Sequence, residues 1–468
     1  LKCFIWEKIM ENSRGFQSRI GFILVSAGCA IGIGNVWKFP YMVGSNGGAV
    51  FVILYLVFLA ILGIPVMTME LAIGRATKKS TTAAYKQLER KGSFWHIHGW
   101  FALVGNYILM MYYTTVAGWM LFYTWKFIVG EFDSPINTSD KSFSSSVFEN
   151  MVSDPFTQIL FMSIIVVLGF VVISLGVKNG LENINKVIML ALLGLIVILA
   201  INSLTLHGSG DGVKFYLMPN LNRVSEIGLG NVIVSAMNQA FFTLGVGIGS
   251  IEIFGSYMDK SHSLANEAVT ITILDTFVAI VAGLIIFPAC FSYGVSPDAG
   301  PSLIFVTLPE LFTHMNGGRI WGTLFFLFMT FASFSTVTAV FENITTNLVD
   351  SKGISRKQSI IINLIIILIG SIPCALGSNF LSEVHLIGSK GILDSEDFIL
   401  SNILLPIGAL WFTVFCTTKW GWGYDCFIGE VNEGKGLKMP GWARYYLMIG
   451  LPILIFVVFI TGLINGLH

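Results

Sequence analysis

Long apolar stretches alternate with short polar connections along this chain. The stretches 187–206 and 359–377 carry no charged side chain, and each is long enough to cross a hydrocarbon core of about 30 Å as a helix. The pattern predicts an all-α membrane protein with eleven transmembrane helices, near residues 16–43, 48–73, 99–129, 156–176, 184–206, 229–257, 264–294, 318–349, 357–377, 395–418 and 443–465.

The segments around these spans add detail. The amphipathic tracts 94–129 and 318–349 predict tilted helices that line something polar. Residues 131–155 are polar and predict a loop, whereas 301–317 is less polar and predicts a short re-entrant or capping helix.

Glycines interrupt the first span where a helix should be most regular. Gly28, Gly32 and Gly34 lie within seven residues and are followed by Asn35, in the stretch GCAIGIGNVWKFP. Each glycine weakens a helix by about 1 kcal/mol relative to alanine. Free backbone groups at membrane depth are tolerated only where they are buried in protein or line a cavity. The stretch therefore predicts a broken helix beside a binding site.

The sixth span repeats this pattern in TLGVGIG, residues 243–249. Spans one and six are the first members of two five-span halves, 16–206 and 229–418. Because five is an odd number, the second half enters the membrane from the side opposite to the first. Close helix packing is the alternative for each glycine cluster alone. Two clusters at matching positions favour a 5+5 inverted repeat with a site at its interface. The eleventh helix, 443–465, lies outside the repeat.

Composition supports one polytopic domain over residues 1–468. The chain is 54% hydrophobic and 12% charged, with a mean hydropathy of +0.77, whereas soluble domains carry about 25% charged residues. A net charge of zero gives no basic field for nucleic acid. About three quarters of the lysines and arginines fall on one side when the N-terminus is placed inside. We therefore expect a cell-membrane protein with a cytoplasmic N-terminus and the C-terminus outside.

Six cysteines without CxxC spacing predict small buried hydrophobic residues and not a metal site, and no cleavable signal peptide is evident. The chain also contains no HExxH, GxSxG or P-loop pattern, so no enzyme is expected.

Several motifs in order make the chain resemble the bacterial members of the neurotransmitter:sodium symporter family. They are GIGNVWKFPY (32–41), NGGAVF (46–51), GIPVMTMELAIGR (63–75), YYTTVAGW (112–119), NQAFFTLGVG (238–247), SYMDK (256–260) and FASFST (331–336). The resemblance implies the leucine-transporter fold with broken first and sixth helices, and a small amino acid carried together with Na⁺.

The resemblance also implies the substrate site. Half-helix N-termini attract a carboxylate and half-helix C-termini attract a cation. The Ile33 and Gly34 amides and the Tyr113 hydroxyl would hold the substrate carboxylate. The carbonyls of Ala30, Phe242 and Thr243 would meet its amino group. Amine transporters of the family have aspartate where this chain has Gly32, so glycine favours a substrate that brings its own carboxylate.

Two sodium sites follow from the same resemblance. The first would use the Ala30 carbonyl, Asn35, Thr243, Asp275 and the substrate carboxylate. The second would use the carbonyls of Gly28, Ile31 and Ala332 with the hydroxyls of Ser335 and Thr336. A serine–threonine pair within a helix also has a plainer interpretation, which is hydrogen bonding back to its own helix. Asp275 is a carboxylate where the leucine transporter has asparagine, so we expect chloride-independent transport.

Charged residues at the two mouths predict gates. Outside, Lys38 would pair with Asp397, with Gln239 nearby and with Phe242 and Tyr113 as an apolar lid. Inside, the resemblance implies Tyr257, Asp350 and, one residue out of register, Arg14. Glu70 is expected to be structural, and the sequence assigns no role to Glu252.

The predicted side-chain pocket comprises Leu109, Tyr113, Phe242, Gly245, Ile248, Thr336 and Val340. Gly245 and Ile248 are smaller than their counterparts in the leucine transporter, which favours tyrosine, tryptophan, phenylalanine or leucine. The overall hypothesis is sodium-coupled amino-acid symport by alternating access. A channel, an amino-acid sensor on the same fold, and a transporter for an osmolyte or amine are its alternatives.

Overall fold

The computed structural model describes residues 15–133, 143–294 and 303–467. Within these residues the chain forms nineteen helices, which we number α1 to α19. They are Arg19–Ala30, Gly34–Ser45, Ala49–Thr77, Thr81–Leu88, Ile97–Val129, Phe143–Ser153, Pro155–Ser174, Val177–Leu204, Ser209–Leu217, Leu221–Ile227, Leu229–Leu244, Glu252–Tyr257, Leu264–Ser292, Leu303–Thr313, Gly318–Lys352, Arg356–Leu376, Ile392–Thr417, Tyr424–Val431 and Ala443–Ile464.

The all-helical prediction is confirmed. Eight of the described helices are long and apolar enough to cross a membrane, or up to ten when each strongly bent pair counts as one span. The helix α5, with 33 residues, is also longer than the ~20 residues that a crossing needs. The count of eleven spans and the division into two inverted repeats with an extra helix stay predictions.

The prediction of a polar loop over 131–155 is wrong for its second half. Residues 143–153 form α6, because Ser144, Val147 and Met151 share one face and are buried. The serine-rich composition of this segment hides that short stripe. The predicted short helix within 301–317 does form, as α14.

The two longest helices, α5 and α15, pack against each other at the centre of the protein. Their polar groups meet inside it, since the hydroxyls of Thr124 and Thr330 lie 3.0 Å apart. Gly28 of α1 packs on the Ser335 side chain of α15, because a Cβ at Gly28 would lie 3.2 Å from Ser335 Cβ. This packing places the interrupted first helix directly beside α15.

Candidate functional site

The first interruption separates α1 from α2, which meet at 55°. The helix α1 ends at Ala30, and Ile31 is extended, with φ −70° and ψ 104°. Two amides just before α2 then find side-chain partners: Gly32 N–H donates to Asn35 Oδ1 over 3.2 Å, and Ile33 N–H donates to Tyr113 Oη over 3.1 Å. The break thus turns the Ile33 amide towards α5.

The second interruption separates α11, which ends at Leu244, from α12, which begins at Glu252. Gly245, Gly247 and Gly249 have φ of 59°, 112° and 66°. These left-handed conformations explain why glycine recurs here.

Side chains from three other helices satisfy the backbone of this second break. Glu70 accepts from Gly247 N–H over 2.5 Å and from Ile251 N–H over 3.3 Å, which agrees with its expected structural role. Asn106 donates to the Ile248 carbonyl over 2.7 Å, and Asn343 donates to the Gly249 carbonyl over 3.2 Å.

A cavity of about 40 Å³ lies between the two breaks. Its lining contains every predicted substrate-site residue except Ile33, together with four that sequence reasoning missed: Cys29, Ser250, Leu400 and Leu405. The missed leucines come from α17, where no motif marks them, whereas Ser250 directly follows the glycine run.

Gly32 faces the polar end of this cavity. A Cβ at this position would lie 2.2 Å from Tyr113 Oη and 2.7 Å from Thr336 Oγ1. No side chain fits there without displacing one of these hydroxyls, so the position is closed to any residue larger than glycine.

The three side chains predicted for the first sodium site lie close together. Asn35 Nδ2 donates to Asp275 Oδ1 over 2.8 Å and to the Asp275 carbonyl over 3.1 Å. Thr243 lies beside the Asp275 carboxyl group. Within the described residues, Asp275 Oδ2 and Thr243 Oγ1 are buried without a partner of hydrogen-bond geometry. Buried oxygens of this kind suit a hard cation.

The groups predicted for the second sodium site also converge. Thr336 Oγ1 lies 3.2 Å from each of the Gly28 and Ile31 carbonyl oxygens and 3.5 Å from that of Ala332. Ser335 Oγ donates to the Ala332 carbonyl over 2.9 Å. Both hydroxyls therefore bond within their own helix, as the plainer interpretation expects, and Thr336 also reaches across to α1.

At one mouth of the cavity, Lys38 Nζ lies 3.2 Å from Asp397 Oδ2 and 3.7 Å from the centre of the Phe242 ring. Tyr112, which sequence reasoning did not name, donates to Asp397 Oδ1 over 3.2 Å. Gln239 contacts the Gly34 carbonyl over 3.1 Å, so it supports the first break.

At the opposite end, Tyr257 Oη donates to Glu342 Oε1 over 2.8 Å, and Arg356 pairs with the same carboxylate over 2.5 Å. Asp350 accepts from Ser80 N–H over 2.9 Å. Arg14 lies outside the described residues. Sequence reasoning missed Glu342 and Arg356, although a glutamate within the predicted span 318–349 was a usable signal.

Comparison with known proteins agrees with this geometry. The family model described as "Sodium:neurotransmitter symporter family" matches residues 14–158 and 148–467. The chain is 33% identical over 451 residues to an uncharacterized sodium-dependent transporter of Bacillus subtilis (strain 168), which covers 95% of this chain and 97% of that protein. It is 30% identical over 471 residues to an uncharacterized sodium-dependent transporter of Haemophilus influenzae, and this alignment covers 97% of this chain and 99% of that protein.

Among solved structures, that of MhsT in complex with L-phenylalanine matches with a TM-score of 0.85 at 34% identity. It covers 96% of this chain and 99% of that one. The relatives of this chain are thus transporters and not enzymes. Their sodium dependence agrees with the two groups of oxygen atoms around Asp275 and Thr336. The chain belongs to the sodium:neurotransmitter symporter family and is a multi-pass, sodium-dependent membrane transporter.

Proposed function

We propose that this protein carries an L-amino acid with a hydrophobic or aromatic side chain into the cell, together with Na⁺, by alternating access. The observation that carries the proposal is that Gly32 and Tyr113 line one cavity, where the Tyr113 hydroxyl also accepts a hydrogen bond from the Ile33 amide beside it. A carboxylate is the ligand that such N–H and O–H donors bind, and because Gly32 has no side chain, the carboxylate must come from the substrate.

Two Na⁺ ions bind beside this cavity in the proposed mechanism. The first is held by Asn35, Thr243, Asp275, the Ala30 carbonyl and the substrate carboxylate. Because the substrate carboxylate then also coordinates this Na⁺, the substrate and the ion each strengthen the binding of the other. The second ion lies between α1 and α15, among the oxygens around Thr336. The fixed negative charge of Asp275 makes transport independent of chloride.

The substrate class follows from the lining of the cavity. Leu109, Ile248 and Val340 are apolar, and a Cβ built on Gly245 meets nothing within 4 Å. The structural relative MhsT was solved with L-phenylalanine, which supports a substrate of this kind. Apolar pockets discriminate by only about 10–200-fold per methylene, so we expect broad selectivity.

In the proposed arrangement the protein lies in the cell membrane with its N-terminus in the cytoplasm and its C-terminus outside. The two inverted halves rock about the shared site. Lys38 and Asp397 close the outer mouth, while Tyr257 with Asp350 marks the inner one.

Uptake into proteoliposomes tests the function. With an inward Na⁺ gradient and labelled L-phenylalanine, the protein should accumulate substrate above the external concentration, and replacing Na⁺ by choline should abolish this. Equilibration without accumulation would indicate a channel. Na⁺-dependent binding without uptake would indicate a sensor. Stabilisation by betaine or monoamines but not by amino acids, in a thermal panel with Na⁺, would indicate the osmolyte or amine alternative.

A further inference from the structure

Glu252 is a buried acid that the proposed transport mechanism does not use. It is the first residue of α12 and is fully shielded from solvent. Within the described residues, neither of its carboxyl oxygens has a partner of hydrogen-bond geometry, and no cation pairs with it. This separates it from Glu70, Glu182, Glu267 and Glu342, the other fully buried glutamates, each of which has a hydrogen-bond or ion-pair partner.

The groups next to Glu252 come from three helices, and none of them is a lysine, an arginine or a histidine. Glu70 of α3 is the nearby acid, Thr81 and Tyr85 approach from α4, and Cys416 approaches from α17. The ring of His98 on α5 contacts the Tyr85 ring in a T-shaped arrangement, with 5.2 Å between the ring centroids. A second carboxyl group without a compensating cation makes ionisation of Glu252 still less favourable.

Such surroundings decide the charge of Glu252 in this conformation. An ionised carboxylate buried without a partner costs several kcal/mol, and the group takes up a proton instead. A glutamate in water is ionised at pH 7. The carboxyl group of Glu252 must therefore be neutral while it is enclosed, and it ionises whenever water reaches it.

A short polar path joins this carboxyl group to one end of the protein. The hydroxyls of Ser80, Thr81 and Tyr85 are buried without partners among the described residues, whereas Lys78 and Lys79, directly before them, are exposed. Unpaired buried hydroxyls of this kind are where ordered water is found. Water and protons need to pass only the start of α4 to reach Glu252.

Packing indicates which surfaces can separate to open this path. Backbone contacts join α12 to α3, because a Cβ at Gly74 would lie 2.0 Å from the Glu252 carbonyl oxygen and one at Gly255 would lie 2.4 Å from that of Leu71. The start of α4 is instead tied to α15, through Thr82 N–H and Asn347 Oδ1 at 3.1 Å. The seam between these two pairs of helices runs past Glu252, and it is crossed by Tyr257 Oη of α12, which donates to Glu342 Oε1 of α15 over 2.8 Å.

We propose that Glu252 is a proton-binding site whose protonation is required for the end of the protein near Tyr257 to close. In the closed state the proton stays on the enclosed carboxyl group. When α12 parts from α4, the proton leaves to water on that side, and it returns from the same side before closure. The cycle needs no net proton transport. The population ratio of the open to the closed state changes by up to tenfold per pH unit.

The direction of the effect follows. A proton binds more tightly in the closed state, so a higher pH on the side of Tyr257 favours the open state and slows its return. Under the proposed orientation this side is the cytoplasm, which is the lumen of correctly oriented proteoliposomes.

The test measures initial L-phenylalanine uptake at an external pH of 7, with lumenal pH set to 6, 7 or 8 and the membrane potential clamped. We expect the wild-type rate to fall at least about threefold from lumenal pH 6 to 8. Glu252→Gln, which mimics the neutral acid, should be insensitive. Glu226→Gln removes an exposed glutamate and should behave as the wild type.

A measurement without transport keeps this inference separate from the proposed function. In detergent, the apparent Tm of the wild type and of Glu226→Gln should fall from pH 6 to 9 more steeply than that of Glu252→Gln. Equal pH dependence of the wild type and Glu252→Gln in both assays would overturn the proposal. Recovery of Glu252→Gln only as unfolded protein would also overturn it, since a neutral side chain of the same shape should fit.

Discussion

Asn35 and Asp275 form a hydrogen bond of 2.8 Å that joins the start of α2 to the middle of α13. Neither residue type alone identifies a sodium site. Their contact places an amide oxygen, a carboxylate and the first helix break within one small volume, where a cation can bridge them.

Removing the charge of Asp275 should make the transporter depend on chloride. Wild-type uptake should be unchanged when gluconate replaces chloride. Asp275→Asn should lose at least about tenfold in uptake without chloride, because the site then lacks about 1.4 kcal/mol or more of cation stabilisation. Part of this loss should return with chloride. A wild type that fails in gluconate would contradict the assignment.

Thr336 should control sodium affinity through the carbonyls of Gly28 and Ile31. Thr336→Val removes the hydroxyl and should raise the Na⁺ concentration for half-maximal uptake by about tenfold, equivalent to 1.4 kcal/mol. Thr330→Val is the matched control, because its hydroxyl bonds to Phe326 of the same helix and to Thr124. Equal sodium dependence of both variants would argue against a second site at Thr336.

Any side chain at Gly32 should block substrate binding. In Gly32→Ala the new methyl group would lie 2.2 Å from Tyr113 Oη, so the hydroxyl must leave its position beside the Ile33 amide. We expect L-phenylalanine no longer to raise the apparent Tm in Na⁺, while the variant still folds. Gly230→Ala, whose added Cβ meets nothing within 4 Å, should keep the shift.

Ser250 should distinguish substrates by the end of their side chains. Its hydroxyl borders the cavity and donates to Asn106 Oδ1 over 2.8 Å, so its lone pairs can accept from a phenol or an indole N–H. Ser250→Ala should weaken L-tyrosine binding by about fivefold, the value of one hydrogen bond near 1 kcal/mol. L-Phenylalanine binding should change by less than about twofold.

A suitable control for this experiment is Ser256→Ala, because the Ser256 hydroxyl donates to the Ile253 carbonyl of its own helix over 2.6 Å. Equal losses for tyrosine and phenylalanine in Ser250→Ala would show that Ser250 acts only through packing.

Arg356 should stabilise the fold by compensating Glu342. Glu342 is fully buried, whereas the Arg356 side chain keeps 33% of its surface exposed. Arg356→Met should therefore lower the free energy of unfolding by about 2 kcal/mol, below the 3–5 kcal/mol of a fully buried pair. The double variant with Glu342→Gln should recover most of the apparent Tm. A double variant less stable than Arg356→Met would contradict this account.

The amino-acid sequence determined the helical class and the positions of both breaks. In a stretch that crosses a membrane, the backbone N–H and C=O groups must form their hydrogen bonds within the protein. A single segment can do this by itself only as a helix. The effect of glycine is also local. Gly245, Gly247 and Gly249 indicate the second break because other residues rarely adopt a positive φ. Most of the site could also be anticipated from these motifs.

Only the tertiary structure decided which side chains share a volume. Leu400 and Leu405 reach the cavity from α17, Tyr112 reaches Asp397, and Arg356 reaches Glu342, none of which a local pattern encodes. The isolation of Glu252 is likewise a property of packing. Whether a buried carboxyl group is capped, paired or left alone depends on how the helices pack against one another, and their approach is set by the sum of many weak contacts.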